Sequence, residues 1–260
     1  MNLIFDKYQG TGNDFILIDN RKGVWNNMPI STIQKLCNRK FGIGADGLIK
    51  INSIQNFDFE VDYYNADGSK SFCGNGARCA VLFAQNLGIQ KEEVRFLAID
   101  GVHTARKTET LVHLEMSDVS GFEKKDHNFI IQTGSPHYIS FEEEIKSIDV
   151  IQKGRTIRYS EQFSNAGINV NFIQKKEPNT FAIRTYERGV EDETLSCGTG
   201  VTAAALAYAI ESKLFGIQRI TAQTEGGELS ISFNRVNESD FNSIVLIGPA
   251  VHVFHGEIDV

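Results

Sequence analysis

The sequence predicts an α+β fold of two pseudo-symmetric halves, each a curled, mostly antiparallel sheet wrapped around one central helix. Three observations carry that prediction. A Cys-Gly-x-Gly motif occurs twice, at Cys73-Gly74-Asn75-Gly76 and at Cys197-Gly198-Thr199-Gly200. Each opens onto a segment apolar nearly all round, residues 77–84 and 201–210, and a helix apolar on every face must be buried on every face. Most of the remaining chain reads as short strands suited to wrapping such helices.

The elements follow in order. Phe15-Ile16-Leu17-Ile18 is an apolar run after a Gly-rich turn and reads as a buried strand. Residues 31–39 form an amphipathic outer helix. Residues 58–63 alternate apolar with polar, as a half-buried strand does. The first central helix ends at Gly88. Residues 94–99 read as a strand, Asp100-Gly101 as a tight turn, and residues 111–116 continue the meander. After a polar stretch the pattern restarts with a strand at 129–132. A second amphipathic helix is expected over 142–153, then strands at 169–174 and 180–186. The second central helix has Gly216 beyond its end. Strands at 218–224 and 229–233 flank Glu225-Gly226-Gly227-Glu228, and 243–247 and 251–254 close the chain. The expected halves are residues 1–117, completed by the C-terminal strand 248–260, and residues 118–247, with a shared site in the cleft between them.

Composition bounds the function. The chain has 260 residues and a formal net charge of −7, with no dense Lys/Arg stripe, which argues against a nucleic-acid partner. No apolar run reaches the ~18 residues of a membrane helix. The first residues lack the basic and long apolar regions of a signal peptide, so a cytoplasmic chain with reduced cysteines is expected. Its four cysteines, Cys37, Cys73, Cys79 and Cys197, show neither Cys-x-x-Cys spacing nor a His-x-x-x-His companion, so no metal site is expected. Cys37 and Cys79 sit within helices and read as core residues.

A cysteine at a helix mouth is where a thiolate forms most easily, because unpaired N–H groups and the positive dipole end face it. Two such cysteines suit chemistry that removes a proton from one face of a carbon and supplies one on the other. Backbone N–H groups at Gly74-Asn75 and Gly198-Thr199 would grip an anionic group of a substrate, with glycine allowing close approach.

The chain resembles the diaminopimelate epimerases along nearly its whole length. Five stretches carry the resemblance: residues 10–15 (Gly-Thr-Gly-Asn-Asp-Phe), 65–69 (Asn-Ala-Asp-Gly-Ser), 73–79, 187–189 (Glu-Arg-Gly) and 193–200. The resemblance implies cofactor-free interconversion of LL- and meso-diaminopimelate, in lysine and peptidoglycan precursor synthesis, by a homodimer. It implies that Cys73 and Cys197 are the thiolate–thiol pair. Asn13, Asn65 and Asn169 match positions that hold substrate. Glu187 and Arg188 match a pair near its ammonium and carboxylate groups, with Glu187 also tuning thiol protonation. His137 matches a histidine that helps set thiol ionisation. The chain departs from the family pattern at Ser135, where Asn is frequent, and at Gly47, where some members have Gln. Alternatives are a proline or hydroxyproline epimerase of the same architecture, a phenazine-biosynthesis-type isomerase, and a thiol redox protein cycling through a disulfide. A non-catalytic binding module is the weakest, because binding needs no paired thiols.

Overall fold

The computed structural model covers residues 1–260. It divides into two compact units, residues 1–114 with 248–260, and residues 115–247. The chain runs through β1 (Asn2–Gly10), β2 (Asn13–Asp19), α1 (Ile30–Cys37), β3 (Gly47–Asn52), β4 (Phe59–Asn65), α2 (Gly74–Asn86), β5 (Glu93–Ala98), β6 (Gly101–Lys107) and β7 (Leu111–Glu115). It continues through β8 (Val119–Ser120), β9 (Glu123–Lys125), β10 (Asn128–Gln132), β11 (Pro136–Phe141), α3 (Val150–Arg158), β12 (Asn169–Lys175), β13 (Thr180–Glu187) and β14 (Asp192–Thr194). The last elements are α4 (Gly198–Glu211), β15 (Gly216–Thr224), β16 (Gly227–Arg235), β17 (Asp240–Pro249) and β18 (Val251–Asp259).

The two units repeat one topology. In unit 1, β1 pairs antiparallel with β2, β2 parallel with β3, β3 antiparallel with β4, β4 parallel with β5, and β5 antiparallel with β6. In unit 2 the same alternation runs through β10, β11, β12, β13, β15 and β16. A parallel pair needs a crossover connection. Each unit therefore carries two helices at equivalent places, α1 and α2 in one, α3 and α4 in the other. β18 adds antiparallel to the outer side of β1 and completes unit 1.

This wrapping explains the apolar runs. Phe15 and Ile49 approach the α2 face at Gly76, while Ile16, Ile18 and Leu48 join Ile33 and Leu36 of α1 in a second core on the other face. A strand covered on both faces loses its alternation, as residues 15–18 show. The central helices are as expected: Ala77, Cys79, Ala80, Val81, Phe83 and Ala84 of α2 are buried, as is all of α4 from Gly200 to Ala209.

The predicted helix at 142–153 is corrected to Val150–Arg158. The Asp149 carboxylate accepts from the N–H of Gln152 at 2.9 Å and starts the helix there, while Glu144 turns back on the N–H of Lys146 upstream. Gly154 lies inside the helix, where a Cβ would sit 2.4 Å from Cβ of Tyr186. Close packing selects that glycine. Both central helices also begin earlier than residues 77 and 201: Cys73 and Cys197 are themselves the N-caps, and Gly74 and Gly198 the first helical residues.

Candidate active site

In unit 1 the site assembles around the N-terminus of α2. Cys73 is half-buried in extended backbone, and its Sγ accepts from the N–H of Gly76 at 3.4 Å. That bond and the helix dipole favour the thiolate. Asn75, in the first turn, donates from Nδ2 to Oδ1 of Asn13 at 2.6 Å, and Asn13 donates to Asp46 at 2.9 Å. Asn13 opens β2, directly after the Thr11-Gly12 turn, where both residues have positive φ, 48° and 93°. A β-branched residue resists that conformation. Thr11 is held there by Arg78, whose Nη2 donates to its Oγ1 at 2.8 Å. Asn65, ending β4, accepts from the Tyr63 hydroxyl at 2.9 Å and donates to Ser69 and Ser71. Gly47, opposite Asn65 in the β3–β4 register, has no room for a side chain: a Cβ would meet the Tyr63 ring at 2.4 Å.

In unit 2 the equivalent place is the N-terminus of α4. Cys197 is buried, with Sγ 3.6 Å from Oγ1 of Thr199. The same hydroxyl lies 2.9 Å from Nε2 of His137, and Thr133 donates to the Thr199 carbonyl at 2.8 Å. His137 is fully buried. Desolvation, with the Arg188 charge adding to it, pulls its pKa down to about 3, so the imidazole is neutral at physiological pH. Asn169 lies beside His137 in the β11–β12 register and accepts from the backbone N–H of Arg188 at 2.8 Å. Glu187 ends β13 and accepts from the Thr194 hydroxyl at 3.0 Å. Arg188 is exposed and donates to the Ala166 carbonyl at 2.8 Å.

Within unit 1 the structure thus gathers Asn13, Cys73, Gly74 and Asn75 and puts Asn65 on the strand paired with Gly47. Within unit 2 it gathers His137, Cys197, Gly198 and Thr199, with Asn169, Glu187 and Arg188 linked at the strand ends. Cys37 and Cys79 are buried core groups, their thiols pushed up by burial to about 11 and about 12. Asp14 is a structural acceptor. Burial raises its pKa, but hydrogen bonds from Arg39 and Lys7 outweigh that and hold it at about 2.

Sequence reading missed Thr11, Arg78, Thr133, Asn171 and Thr185. Two of these carry a signal. Arg78 interrupts a helix apolar on every face, so it must be buried, and Asn171 interrupts the apolar run of a fully buried strand.

The family model for diaminopimelate epimerase matches residues 5–119 and 129–253. A diaminopimelate epimerase of Flavobacterium psychrophilum is 49% identical over 254 residues, covering 97% of this chain and 98% of that protein. One from Chlorobaculum tepidum is 40% identical, covering 96% and 98%. Among solved structures, a Bacillus anthracis phenazine biosynthesis protein of the PhzF family superposes with a TM-score of 0.79 at 13% identity, covering 100% of both chains. A hydroxyproline epimerase from Agrobacterium vitis, with bound trans-4-hydroxy-L-proline, gives 0.69 at 11% identity, covering 99% and 92%. These two structures share the fold.

Proposed function

Because the chain belongs to the diaminopimelate epimerase family, we propose that it interconverts LL- and meso-diaminopimelate by two-base proton transfer between Cys73 and Cys197. One observation carries the reading: the two cysteines are the N-caps of topologically equivalent buried helices, one in each unit. Inversion needs a base on one face of the α-carbon and an acid on the other. A thiolate takes the α-proton, the opposite thiol returns one, and the two exchange roles with direction. First-turn N–H groups of an α-helix have no intrahelical acceptor. Those of Gly74-Asn75 and Gly198-Thr199 therefore suit the substrate α-carboxylate and the charge that builds on it as the carbanion forms. In this reading no cofactor takes part. Asn13, Asn65, Asn169, Glu187 and Arg188 hold the substrate, and His137 and Glu187 support thiol ionisation.

No helix of the chain is long and apolar enough to cross a membrane. The reading includes a cytoplasmic homodimer. The exposed Ile4 of β1 and Val251 and Val253 of β18 supply apolar surface for self-association on two paired strands.

Proton NMR of LL-diaminopimelate in heavy water, with reduced protein and no added cofactor, tests the reaction. Loss of the α-proton signal with appearance of the meso form is expected, and Cys73→Ser and Cys197→Ser should each abolish interconversion. Exchange of trans-4-hydroxyproline instead would overturn the substrate assignment. Near-normal turnover in either serine variant would overturn the two-thiol mechanism.

A further inference from the structure

We propose that Asn171 and Thr185 are positioning residues that lock the His137 tautomer, so that a one-way chain of hydrogen-bond donors ends on the sulfur of Cys197. The role rests on the two-thiol reading above for its purpose, but not for its geometry.

The chain of contacts lies wholly in unit 2. Nδ2 of Asn171 is 3.1 Å from the Tyr138 carbonyl oxygen. That oxygen can only accept, which fixes the amide with its nitrogen on this side. The Thr185 hydroxyl donates to Oδ1 of Asn171 at 3.0 Å on the other side. The second amide hydrogen then points at Nδ1 of His137, 3.2 Å away. An amide N–H can only donate, so Nδ1 accepts and the ring proton sits on Nε2. Nε2–H donates to Oγ1 of Thr199 at 2.9 Å, which leaves the threonine proton to point at Sγ of Cys197, 3.6 Å away. A hydrogen bond received by a thiolate favours the charged form. His137 stays neutral, so it relays direction rather than charge.

Unit 1 has no such chain. The β2–β3–β4 register places Phe15, Ile49 and Tyr63 where β11–β12–β13 place His137, Asn171 and Thr185. An aromatic ring and an aliphatic side chain stand where the histidine and amide stand in unit 2. The device therefore acts on Cys197 alone, and the two thiols are tuned by different means.

Nitrogen-15 NMR of histidine-labelled wild-type protein at neutral pH reads the tautomer directly. The expected result for His137 is a protonated Nε2 and a bare Nδ1. A protonated Nδ1, or an imidazolium, overturns the proposal without need of any variant. Asn171→Asp keeps the shape and places a carboxylate oxygen opposite Nδ1, which should reverse the tautomer and withdraw the Thr199 proton from Cys197. In a Cys73→Ser background, the pH midpoint for alkylation of Cys197 by iodoacetamide should then rise by about one unit, roughly tenfold less thiolate at a given pH. Thr185→Val should move it the same way by less. An unmoved midpoint in folded Asn171→Asp and Thr185→Val proteins overturns the positioning role. If Cys197→Ser kept full interconversion, the two-thiol mechanism would fall, while the tautomer and alkylation results would stand on their own.

Discussion

The Cβ that Gly200 lacks would sit 2.5 Å from Oδ1 of Asn171 and 3.3 Å from the His137 ring. At the equivalent Gly76 of unit 1, a Cβ would meet Ile49 at 3.2 Å and Phe15 at 3.4 Å, side chains that can yield by a few tenths of an ångström. Asn171 cannot yield, because both ends of its amide are hydrogen-bonded. Gly200→Ala should therefore cost about 2–3 kcal/mol, as overpacking of a rigid site does. Gly76→Ala should stay within about 1 kcal/mol, since the strain is offset by helix propensity. Urea unfolding of the two variants checks this. Equal losses would mean that the polar cluster in unit 2 is no stiffer than the apolar contact in unit 1.

That contrast also shows how much was legible in the sequence. The repeated Cys-Gly-x-Gly motif and the all-round apolar helices made the duplicated fold and a cysteine near each helix mouth readable, because burial on every face leaves a compositional mark. The bounds of the helix expected over 142–153 did not read correctly, because the Asp149 cap and the close approach of Gly154 to Tyr186 depend on what the fold brings near. The Thr185–Asn171–His137 cluster was out of reach for the same reason. Strand register, not sequence proximity, joins residues 137, 171 and 185.

Burial of a neutral imidazole makes stability depend on pH. His137 is pulled from 6.5 to about 3 in the folded protein, so between those values the unfolded chain binds the extra proton. Stability therefore rises with pH across that window and is lost as pH falls below about 6.5, by up to about 1.4 kcal/mol per unit from this group. His137→Gln should flatten the fall between pH 6.5 and 4.5, measured as urea midpoint against pH. An identical slope would assign the acid loss to other groups.

Thiol reactivity should separate Cys73 from Cys37 and Cys79. The Cys37 and Cys79 thiols are buried, and burial pushes them to about 11 and about 12. Half-buried Cys73 accepts a helix N–H. Brief treatment of native, reduced protein with iodoacetamide at neutral pH should alkylate Cys73 at least tenfold faster than Cys37 or Cys79. Peptide mass spectrometry reads the order, and early modification of Cys79 would contradict it.

Arg78 separates stability from positioning. Its guanidinium is fully buried on α2, with Nη2 on Thr11 and Nε 3.3 Å from the Pro249 carbonyl, and Nη1 has no hydrogen-bond partner. No carboxylate shares in these bonds. Burial outweighs the pull of the Cys79 and Cys73 thiols and lowers its pKa from 12.5 to about 10, a penalty of about 3 kcal/mol on the charged form. Two hydrogen bonds from a charged donor return about 1.5–3 kcal/mol each. The bonds therefore exceed the penalty by between about zero and 3 kcal/mol, and Arg78→Met should cost stability no more than about 3 kcal/mol. Binding should respond differently. Without Arg78, Thr11 is no longer held at its positive φ, and the Thr11–Asn75–Asn13 linkage at the mouth of α2 loosens. KM for diaminopimelate should rise about tenfold, the worth of one anchoring hydrogen bond. Steady-state kinetics beside urea unfolding decides the matter. A large stability loss with unchanged KM would make Arg78 a core element with no hold on the site.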